Sequence, residues 1–383
     1  MNAPLDTTYE IRVRPVQDGK NFQGFLEADG EILDGFTQRF TRFSLQSAAR
    51  RLLPDERVAQ CLRVRRKDVE AVSVYRRDNC STYYGGLTVC GSTWTCPVCA
   101  AKISERRRTE LTSAVSTWKD RGGFIAFLTF TVPHTIHSKP FELVDTLLEL
   151  YRALNSGRNR MSVAVPNFVG QVKALEVTHG EHGWHPHFHV LLFVDKKPDL
   201  QEIHKKIWSR WESLVRSSGL GVPSESAFKV EDGSKAAQYV SKWGIPEEMT
   251  KGHIKNARSE RGRTPFALLA DYNRGDKQAG ALFRQFAQTF KGRQQIRWSA
   301  GLRNLLEIGL EKTDEQVSQS VDALDQKLAT ISDQQWRIIL RHDLRSVVLE
   351  LFRTETINEF NTLIENYRLG FSTILGSGLA SPK

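Results

Sequence analysis

Three histidines alternate along an apolar run near the middle of the chain. They are His185, His187 and His189, and the run continues to Phe193. Successive side chains of a β-strand point to opposite faces, so all three imidazoles would project from one face. Neutral imidazole is a good ligand for divalent ions, and this spacing therefore predicts a metal site on a strand. The alternative is a surface strand that is merely rich in histidine.

A carboxylate can join the histidines from the strand that precedes them. In an antiparallel register that pairs Thr178 with His185, Glu176 lies opposite His187 and shares its face. Two imidazoles and one carboxylate leave open positions on Mg²⁺ or Mn²⁺, and such an ion can polarise a scissile phosphate. Two alternatives remain open. Glu176 could form a cross-strand salt bridge, or all three histidines could bind the zinc of a hydrolase.

Tyr239 is the candidate nucleophile of the chain. On a helix, Lys242 would lie one turn ahead of it on the same side, and Lys235 one turn behind. Nearby ammonium groups favour the phenolate and screen the charge of an incoming phosphate. A tyrosine beside a lysine on a helix is more often a packing feature, so this assignment depends on the motifs around it.

Five cysteines occur between positions 61 and 99. Cys80, Cys90, Cys96 and Cys99 offer four thiolates, which is the ligand set of a tetrahedral structural zinc site. Cys96 and Cys99 are separated by two residues, as in a zinc knuckle. The alternatives are a redox pair or unrelated buried thiols. Cys61 is expected to be a buried apolar filler.

The chain is basic, with 54 Lys and Arg against 44 Asp and Glu, a net charge of +10 and a pI near 9.4. This balance favours a polyanionic partner, with nucleic acid first. A helix predicted over 101–118 carries Arg106, Arg107 and Arg108 on its polar face, and we expect these to contact DNA. The N-terminus lacks a secretory pattern, and no apolar run approaches the roughly 20 residues of a membrane span. We expect a cytoplasmic protein with no membrane partner.

Strand and helix patterns alternate around these candidate residues. Apolar runs predict strands over 124–132, 168–178, 185–193 and 228–230, and amphipathic periodicity predicts helices over 138–154 and 199–216. A further helix that begins at Ser234 would carry Tyr239. The order β-α-β-β-α-β, followed by a helix, predicts an α+β fold with a ferredoxin-like antiparallel sheet.

Three motifs follow one another in this order. They are Phe127-Leu128-Thr129-Phe130-Thr131, then His187-Phe188-His189, then Ala236-x-x-Tyr239-Val240-x-Lys242. In order and spacing they resemble the motifs of the HUH-endonuclease replication initiators (Rep) of rolling-circle plasmids and related phages. The resemblance covers residues 80–245 well and extends more loosely to 299.

The resemblance implies a mechanism and a set of roles. A tyrosine hydroxyl attacks a phosphodiester in single-stranded DNA, the protein becomes joined to the 5′ phosphate, and a 3′ hydroxyl is left as a primer. Tyr239 would be the nucleophile, Lys242 the supporting cation, His187 and His189 metal ligands and Glu176 a third ligand. His185 matches a frequent extra residue that binds the ion or supports a ligand.

The same resemblance implies the partners: plasmid DNA with an origin and a single-stranded nick site, a host polymerase and a host helicase. The chain departs from the family at one position that bears on the termination of replication. Some relatives have a second tyrosine, and others a glutamate, four residues from the nucleophile. This chain has Lys235 there, so we interpret it as a single-tyrosine enzyme.

Five segments are predicted along the chain. They are an N-terminal basic region (1–79), a zinc-binding segment with its basic helix (80–122), an HUH endonuclease domain (123–250), a basic DNA-contacting extension (251–312) and a mostly helical C-terminal region (313–383).

Competing hypotheses are an HUH transposase, a conjugative relaxase and, in a different class, a zinc-containing DNA-binding regulator without catalysis. Relaxases usually place the tyrosine before the histidines, whereas Tyr239 follows them.

Overall fold

A computed structural model describes residues 35–233, 262–319 and 325–369 of the chain. These residues form two compact units. The larger unit contains residues 41–61, 89–233 and 262–319, and the smaller unit contains residues 35–40, 62–88 and 325–369. Each unit combines helices with an antiparallel sheet, which confirms the predicted α+β class.

The helices and strands are numbered in chain order over the described residues. The strands are β1 (Val72–Arg76), β2 (Thr82–Gly85), β3 (Phe124–Thr131), β4 (Phe168–Gly180), β5 (Gly183–Val194), β6 (Phe228–Asp232), β7 (Ile296–Trp298) and β8 (Gln326–Ile331). The helices are α1 (Gly35–Leu52), α2 (Pro97–Asp120), α3 (Pro140–Leu154), α4 (Met161–Ala164), α5 (Leu200–Ser217), α6 (Pro265–Asn273), α7 (Lys277–Phe290), α8 (Leu302–Leu305), α9 (Asp314–Gln319), α10 (Asp333–Arg341), α11 (Arg345–Arg353) and α12 (Ile357–Arg368).

The larger unit is built on a five-stranded sheet in the order β6-β3-β5-β4-β7, and every neighbouring pair is antiparallel. Strands β3 to β6, with α3 and α5 between them, reproduce the predicted β-α-β-β-α-β order. Their arrangement, with β3 and β5 in the centre, is that of a ferredoxin-like sheet. Strand β7 adds a fifth strand beside β4 that the sequence patterns did not predict.

The two faces of this sheet bury different residues. On one face, Leu191 and Phe193 of β5 belong to an apolar cluster with Leu111 and Trp118 of α2. On the other face, Phe130 of β3 lies in edge contact with Tyr151 of α3 and Trp211 of α5, at 5.5 and 5.0 Å between ring centroids. The histidines of β5 alternate with Phe188 and Val190, so they lie on the α2 face, beyond the end of that apolar cluster.

Two helices of the larger unit begin at residues with suitable capping groups. The side chain of Cys96 accepts a hydrogen bond from the Cys99 amide and precedes Pro97, the first residue of α2. The Asp199 carboxylate accepts from the first amides of α5, at Gln201 and Glu202. Both side chains satisfy amides that would otherwise lack a partner at a helix N-terminus.

The smaller unit has a three-stranded antiparallel sheet in the order β2-β1-β8, with α10, α11 and α12 nearby in the chain. Tyr84 of β2 donates a hydrogen bond to the backbone oxygen of Arg345, whose side chain is fully buried. The pairing of β1 with β8 joins residues 72–76 to residues 326–331. Within its described residues, the predicted C-terminal region is helical apart from β8.

Among the described residues, no helix is both long enough and apolar enough to cross a membrane.

Candidate functional site

Strands β4 and β5 form a long hairpin that positions the histidines. They are joined by Glu181 and His182 alone, and Gly183 follows with φ of 87°. Gly183 also lies against the backbone of the 135–136 segment, where a Cβ would come within 3.0 Å of it. The hairpin fixes the register, and Glu176 pairs with His187 as predicted.

Glu176, His187 and His189 converge on one face of the sheet. The Oε2 atom of Glu176 lies 3.4 Å from Nε2 of His187 and 3.7 Å from Nε2 of His189. The three side chains are partly buried, with exposed fractions of 30%, 13% and 20% respectively. Their ligand atoms lie close enough to hold one metal ion. The structure therefore brings together three of the four residues that were predicted as ligands.

The second nitrogen of each of the two imidazoles is engaged away from Glu176. Nδ1 of His187 lies 3.3 Å from the backbone oxygen of His185, which can only accept, so Nδ1 carries the proton. Nδ1 of His189 lies 3.1 Å from the hydroxyl of Thr129 on β3. The Phe127 ring stacks on His189 at 5.1 Å between centroids. Metal-binding histidines are generally oriented in this way, by a hydrogen bond from the nitrogen that does not bind the ion.

The ionisation of these groups suits a cation. Burial opposes the charge of Glu176, but the neighbouring His187 and His189 outweigh it and hold the pKa of the carboxyl below its ordinary value. Burial lowers the pKa of His189 to about 4, in spite of the nearby carboxylate. Near neutral pH the site thus presents an ionised carboxylate and an unprotonated His189, which are the forms that bind a metal.

His185 stands apart from this group. Its ring lies 5.3 Å from that of His187 and 4.8 Å from that of His134, and it is not among the three residues whose ligand atoms converge. Burial lowers the pKa of His185 to about 4. Of the two roles left open for it, the structure favours support of the neighbouring His187, through its backbone oxygen, over direct binding.

The predicted nucleophile and its lysine cannot be placed against the metal-binding group. Tyr239, Lys242 and Lys235 lie in residues 234–261, outside the described residues.

A second group of possible ligands consists of four buried cysteines. They are Cys61, Cys90, Cys96 and Cys99. The Sγ atom of Cys61 lies 3.5 Å from that of Cys99 and 3.7 Å from that of Cys96, and the sulfurs of Cys90 and Cys99 are 3.7 Å apart. Thiolates on a tetrahedral zinc, with Zn–S bonds of about 2.3 Å, are separated by about 3.8 Å. The spacing of the sulfurs therefore fits a zinc ion.

One member of this group corrects the set that was predicted. Cys61 supplies the fourth thiol, although it was expected to be an apolar filler. Cys80, the predicted fourth ligand, is exposed and belongs to the smaller unit. Distance along the sequence was misleading here, because Cys61 is 29 residues from Cys90 but its sulfur accepts a hydrogen bond from the Cys90 amide.

Hydrogen-bond donors surround the sulfurs. The Ser92 amide donates to Cys90, the Cys99 amide to Cys96, and the side-chain amide of Gln46, which is fully buried, also donates to Cys96. Burial raises the pKa of the Cys96 thiol, whereas hydrogen bonds from Cys61 and the other thiols lower that of Cys99. Buried thiolates with such donors are stabilised most by a bound cation.

The three arginines of α2 have different environments. Arg107 is buried, and its guanidinium bonds to Glu110, to the backbone oxygen of Lys312 and to Asp314. This corrects the prediction that Arg107 contacts DNA, because its donors are used inside the fold. Arg106 and Arg108 are more exposed, and they pair with Glu110 and Glu105 of the same helix. A DNA contact by Arg106 or Arg108 stays a prediction.

Comparison with known proteins gives a family and two relatives. A family model described as "Replication protein" (Rep_1) matches residues 87–346. The chain is 26% identical over 216 residues to "Neomycin resistance protein" of Streptomyces cyanogenus. This alignment covers 46% of this chain and 49% of that protein. It is also 26% identical over 325 residues to "Protein rep" of Streptomyces lividans, and this alignment covers 65% of this chain and 69% of that protein. The first match thus spans about half of the relative's length. No solved structure matches the chain.

Proposed function

Since the chain belongs to the Rep_1 replication protein family, we propose that it initiates plasmid replication by nicking and rejoining one DNA strand. The observation that carries this proposal is the convergence of Glu176, His187 and His189 on one face of the sheet. A protein that only binds DNA would have no need of a half-buried carboxylate aimed at two oriented imidazoles. The name "Protein rep" of the Streptomyces lividans relative also supports a role in replication.

We propose that Glu176, His187 and His189 hold Mg²⁺ or Mn²⁺. When bound, the ion would polarise the scissile phosphate and stabilise the negative charge that develops on it. With its Nδ1 donating to the backbone oxygen of His185, His187 would present Nε2 to the ion. Thr129 positions His189 in the same manner from the neighbouring strand. Together these contacts orient the ligands before any substrate binds.

The Tyr239 hydroxyl is the proposed nucleophile. Its oxygen forms a bond to the phosphorus, the bond from phosphorus to the 3′ oxygen breaks, and the 3′ oxygen takes up the proton that the tyrosine gives up. The 5′ end stays linked to the protein as a phosphotyrosine, and the free 3′ hydroxyl serves as a primer for a host polymerase. Lys242 would stabilise the phenolate. A host helicase would open the duplex ahead of the polymerase.

The proposed catalytic domain has the HUH-endonuclease fold and lies within residues 123–250. The antiparallel order of β3 to β6 and the histidines on β5 support this assignment. Arg106, Arg108 and the basic extension over 251–312 are proposed to contact the phosphates of the DNA.

The four cysteines are proposed to hold a structural zinc ion. Cys96 and Cys99 stand at the beginning of α2, and α2 packs on the sheet face that carries the histidines. A metal ion bound there would fix the start of α2 and so support the sheet. All four thiols are used, which leaves no open position for a substrate and favours a structural role.

A covalent-adduct assay tests the proposed nickase. The protein is mixed with its plasmid, supercoiled or as single strands, in Mn²⁺, and is then run on a denaturing gel. We expect a slower, DNA-linked band for the wild-type protein and none for Tyr239→Phe. Tyr272→Phe, which also removes one phenolic hydroxyl, is the matched control and should keep the band.

The outcomes of this assay separate the hypotheses. A band that persists in Tyr239→Phe would refute the assigned nucleophile. If wild-type protein binds the DNA but forms no adduct with either substrate, a DNA-binding regulator without catalysis becomes the better description. Sequencing from the free 3′ end of the nicked strand would locate the origin.

A further inference from the structure

A second candidate site lies on the sheet face opposite to the metal-binding group. Lys173 of β4 points to that face, since its ammonium lies 4.3 Å from the ring centroid of Phe188 and 4.6 Å from that of Tyr151. The ammonium borders a cavity of about 340 Å³. Arg152 of α3 and Arg297 of β7 also line this cavity.

The cavity collects three positive charges, of which only that of Lys173 lies against aromatic rings of the described residues. Lys173, Arg152 and Arg297 form no ion pair with a carboxylate of the described ranges 35–233, 262–319 and 325–369. Burial lowers the pKa of Lys173 to about 8, and the charges of Arg297 and Arg152 act in the same direction. Like charges around one cavity repel one another, and an anion bound among them would offset this repulsion.

The polar groups of the cavity floor are already fixed. The Tyr151 hydroxyl donates to the side-chain oxygen of Gln171, and the Gln171 side-chain nitrogen donates to Asn155. The Ser299 hydroxyl oxygen accepts from the Gln171 amide, so its own proton is available to a ligand. These hydrogen bonds hold the side chains of the floor in place, and the three cations and the Ser299 hydroxyl are donors that remain for a ligand.

We propose that this cavity binds a phosphate group of the DNA backbone, through Lys173, Arg152, Arg297 and the Ser299 hydroxyl. Several cations and a hydroxyl around one point match the oxygens of a phosphate. The choice of DNA as the carrier rests on the proposed function. Because the cavity and the metal-binding group lie on opposite faces of the sheet, the phosphate belongs to a segment of DNA away from the nick site.

The salt dependence of DNA binding tests this proposal. A fluorescein-labelled single-stranded oligonucleotide from the plasmid origin is titrated with protein at several salt concentrations, without added divalent ions, so that no cleavage is needed. The variants are Lys173→Gln and Arg297→Gln. Lys196→Gln removes the same charge from an exposed position outside the cavity and is the matched control.

We expect each cavity variant to bind the oligonucleotide more weakly, and the slope of log Kd against log salt to fall by about 0.7 for each phosphate that the variant no longer neutralises. Lys196→Gln should keep the wild-type slope. Unchanged slopes in both cavity variants would overturn the proposal. Arg297 is exposed, so Arg297→Gln keeps the test valid if Lys173→Gln is poorly folded.

Calorimetry with inorganic phosphate tests whether the cavity binds a phosphate of DNA or a free phosphate ion. One outcome would contradict the assignment to DNA. In that outcome, wild-type protein binds inorganic phosphate and Lys173→Gln does not, while the salt slopes of DNA binding are the same for all variants. The cavity would then bind a free phosphate. The failure of the proposed nickase would look different. In that case the adduct would be absent from wild-type protein, while the slopes would still respond to Lys173 and Arg297.

Discussion

Glu176 and His187 face each other across β4 and β5, with Oε2 of the carboxylate 3.4 Å from Nε2 of the imidazole. The other ring nitrogen of His187, Nδ1, donates to the backbone oxygen of His185, which leaves Nε2 as the nitrogen that could bind an ion. A charge-assisted hydrogen bond would be about 2.7–2.9 Å long, whereas ligands that share a small ion at about 2.1 Å stand roughly 3 Å apart or slightly more. The 3.4 Å contact is compatible with two ligands of one ion.

Removal of the Glu176 charge should weaken metal binding. We expect Glu176→Gln to raise the Kd for Mn²⁺ at least tenfold, because removal of even a supporting residue around a metal ligand typically costs about 10–100-fold. Direct titration of Mn²⁺ by electron paramagnetic resonance measures this without any DNA. Glu181→Gln, in the turn between β4 and β5, is the control and should bind Mn²⁺ as wild type does. An unchanged Kd in Glu176→Gln would remove the carboxylate from the ligand set.

The hydroxyl of Thr129 should contribute through His189. Thr129→Val keeps the shape of the side chain but removes the hydrogen bond to Nδ1 of His189. We expect about a tenfold weaker Mn²⁺ affinity, since the imidazole loses a group that orients it. Thr131→Val is the matched control, because Thr131 donates to the backbone oxygen of Ala227 rather than to an imidazole. Equal Mn²⁺ affinities for the two variants would contradict a positioning role.

The zinc site should depend on Cys61 and not on Cys80. We expect wild-type protein to contain about one zinc per chain, and Cys61→Ser to lose that zinc together with several kcal/mol of stability, since a structural zinc contributes directly to folding. Cys80→Ser should keep both. Elemental analysis of the purified proteins and urea unfolding measure the two effects. Zinc loss in Cys80→Ser alone would restore the set of ligands that the sequence suggested.

Arg107 should contribute more than Arg106 to the free energy of unfolding. Arg107 is 9% exposed against Glu110 at 4%, so we expect Arg107→Ala to cost about 2–4 kcal/mol in the free energy of unfolding. The side chain of Arg106 is 48% exposed, and Arg106→Ala should cost less than about 1 kcal/mol. Urea unfolding compares the two. A stable Arg107→Ala with a reduced salt slope for DNA binding would instead return Arg107 to the DNA contacts.

Local patterns in the sequence were sufficient for the hairpin that carries the metal-binding group. Alternation along 185–193 fixed which side chains share a face, and a short turn fixed the register that places Glu176 opposite His187. The burial of Arg107 was also visible in principle. It lies midway between Ile103 and Leu111, both buried, at the four-residue spacing of one helix face.

Other features depended on contacts that no local pattern encodes. Cys61 lies outside the run of cysteines and reaches the other three only through the fold. Strands β1 and β8 pair although most of the chain separates them. The charged cavity assembles Lys173, Arg152 and Arg297 from three different elements, and each of them alone resembles an ordinary surface cation.

Lys173 should destabilise the protein at neutral pH, and Lys173→Met should relieve this. The folded state lowers the pKa of Lys173 from 10.5 to about 8, so between these values the unfolded chain binds more protons and stability rises with pH. Below pH 8 we therefore expect the charged lysine to weaken the fold. Each pKa unit corresponds to about 1.4 kcal/mol, and we expect Lys173→Met to gain about 1–3 kcal/mol at pH 7.

This gain should disappear as the pH approaches 10.5, because Lys173 is then largely neutral in both states of the wild-type protein. Urea unfolding at pH 7 and at pH 9.5 measures the difference between the variants. Lys196→Met, an exposed control, should change stability by less than about 0.5 kcal/mol at either pH. If Lys173→Met is destabilised equally at both pH values, the lysine is a packing residue and the cavity loses its main anion-binding group. A stability gain accompanied by weaker DNA binding is the result expected of a cation that is retained for binding at the expense of the fold.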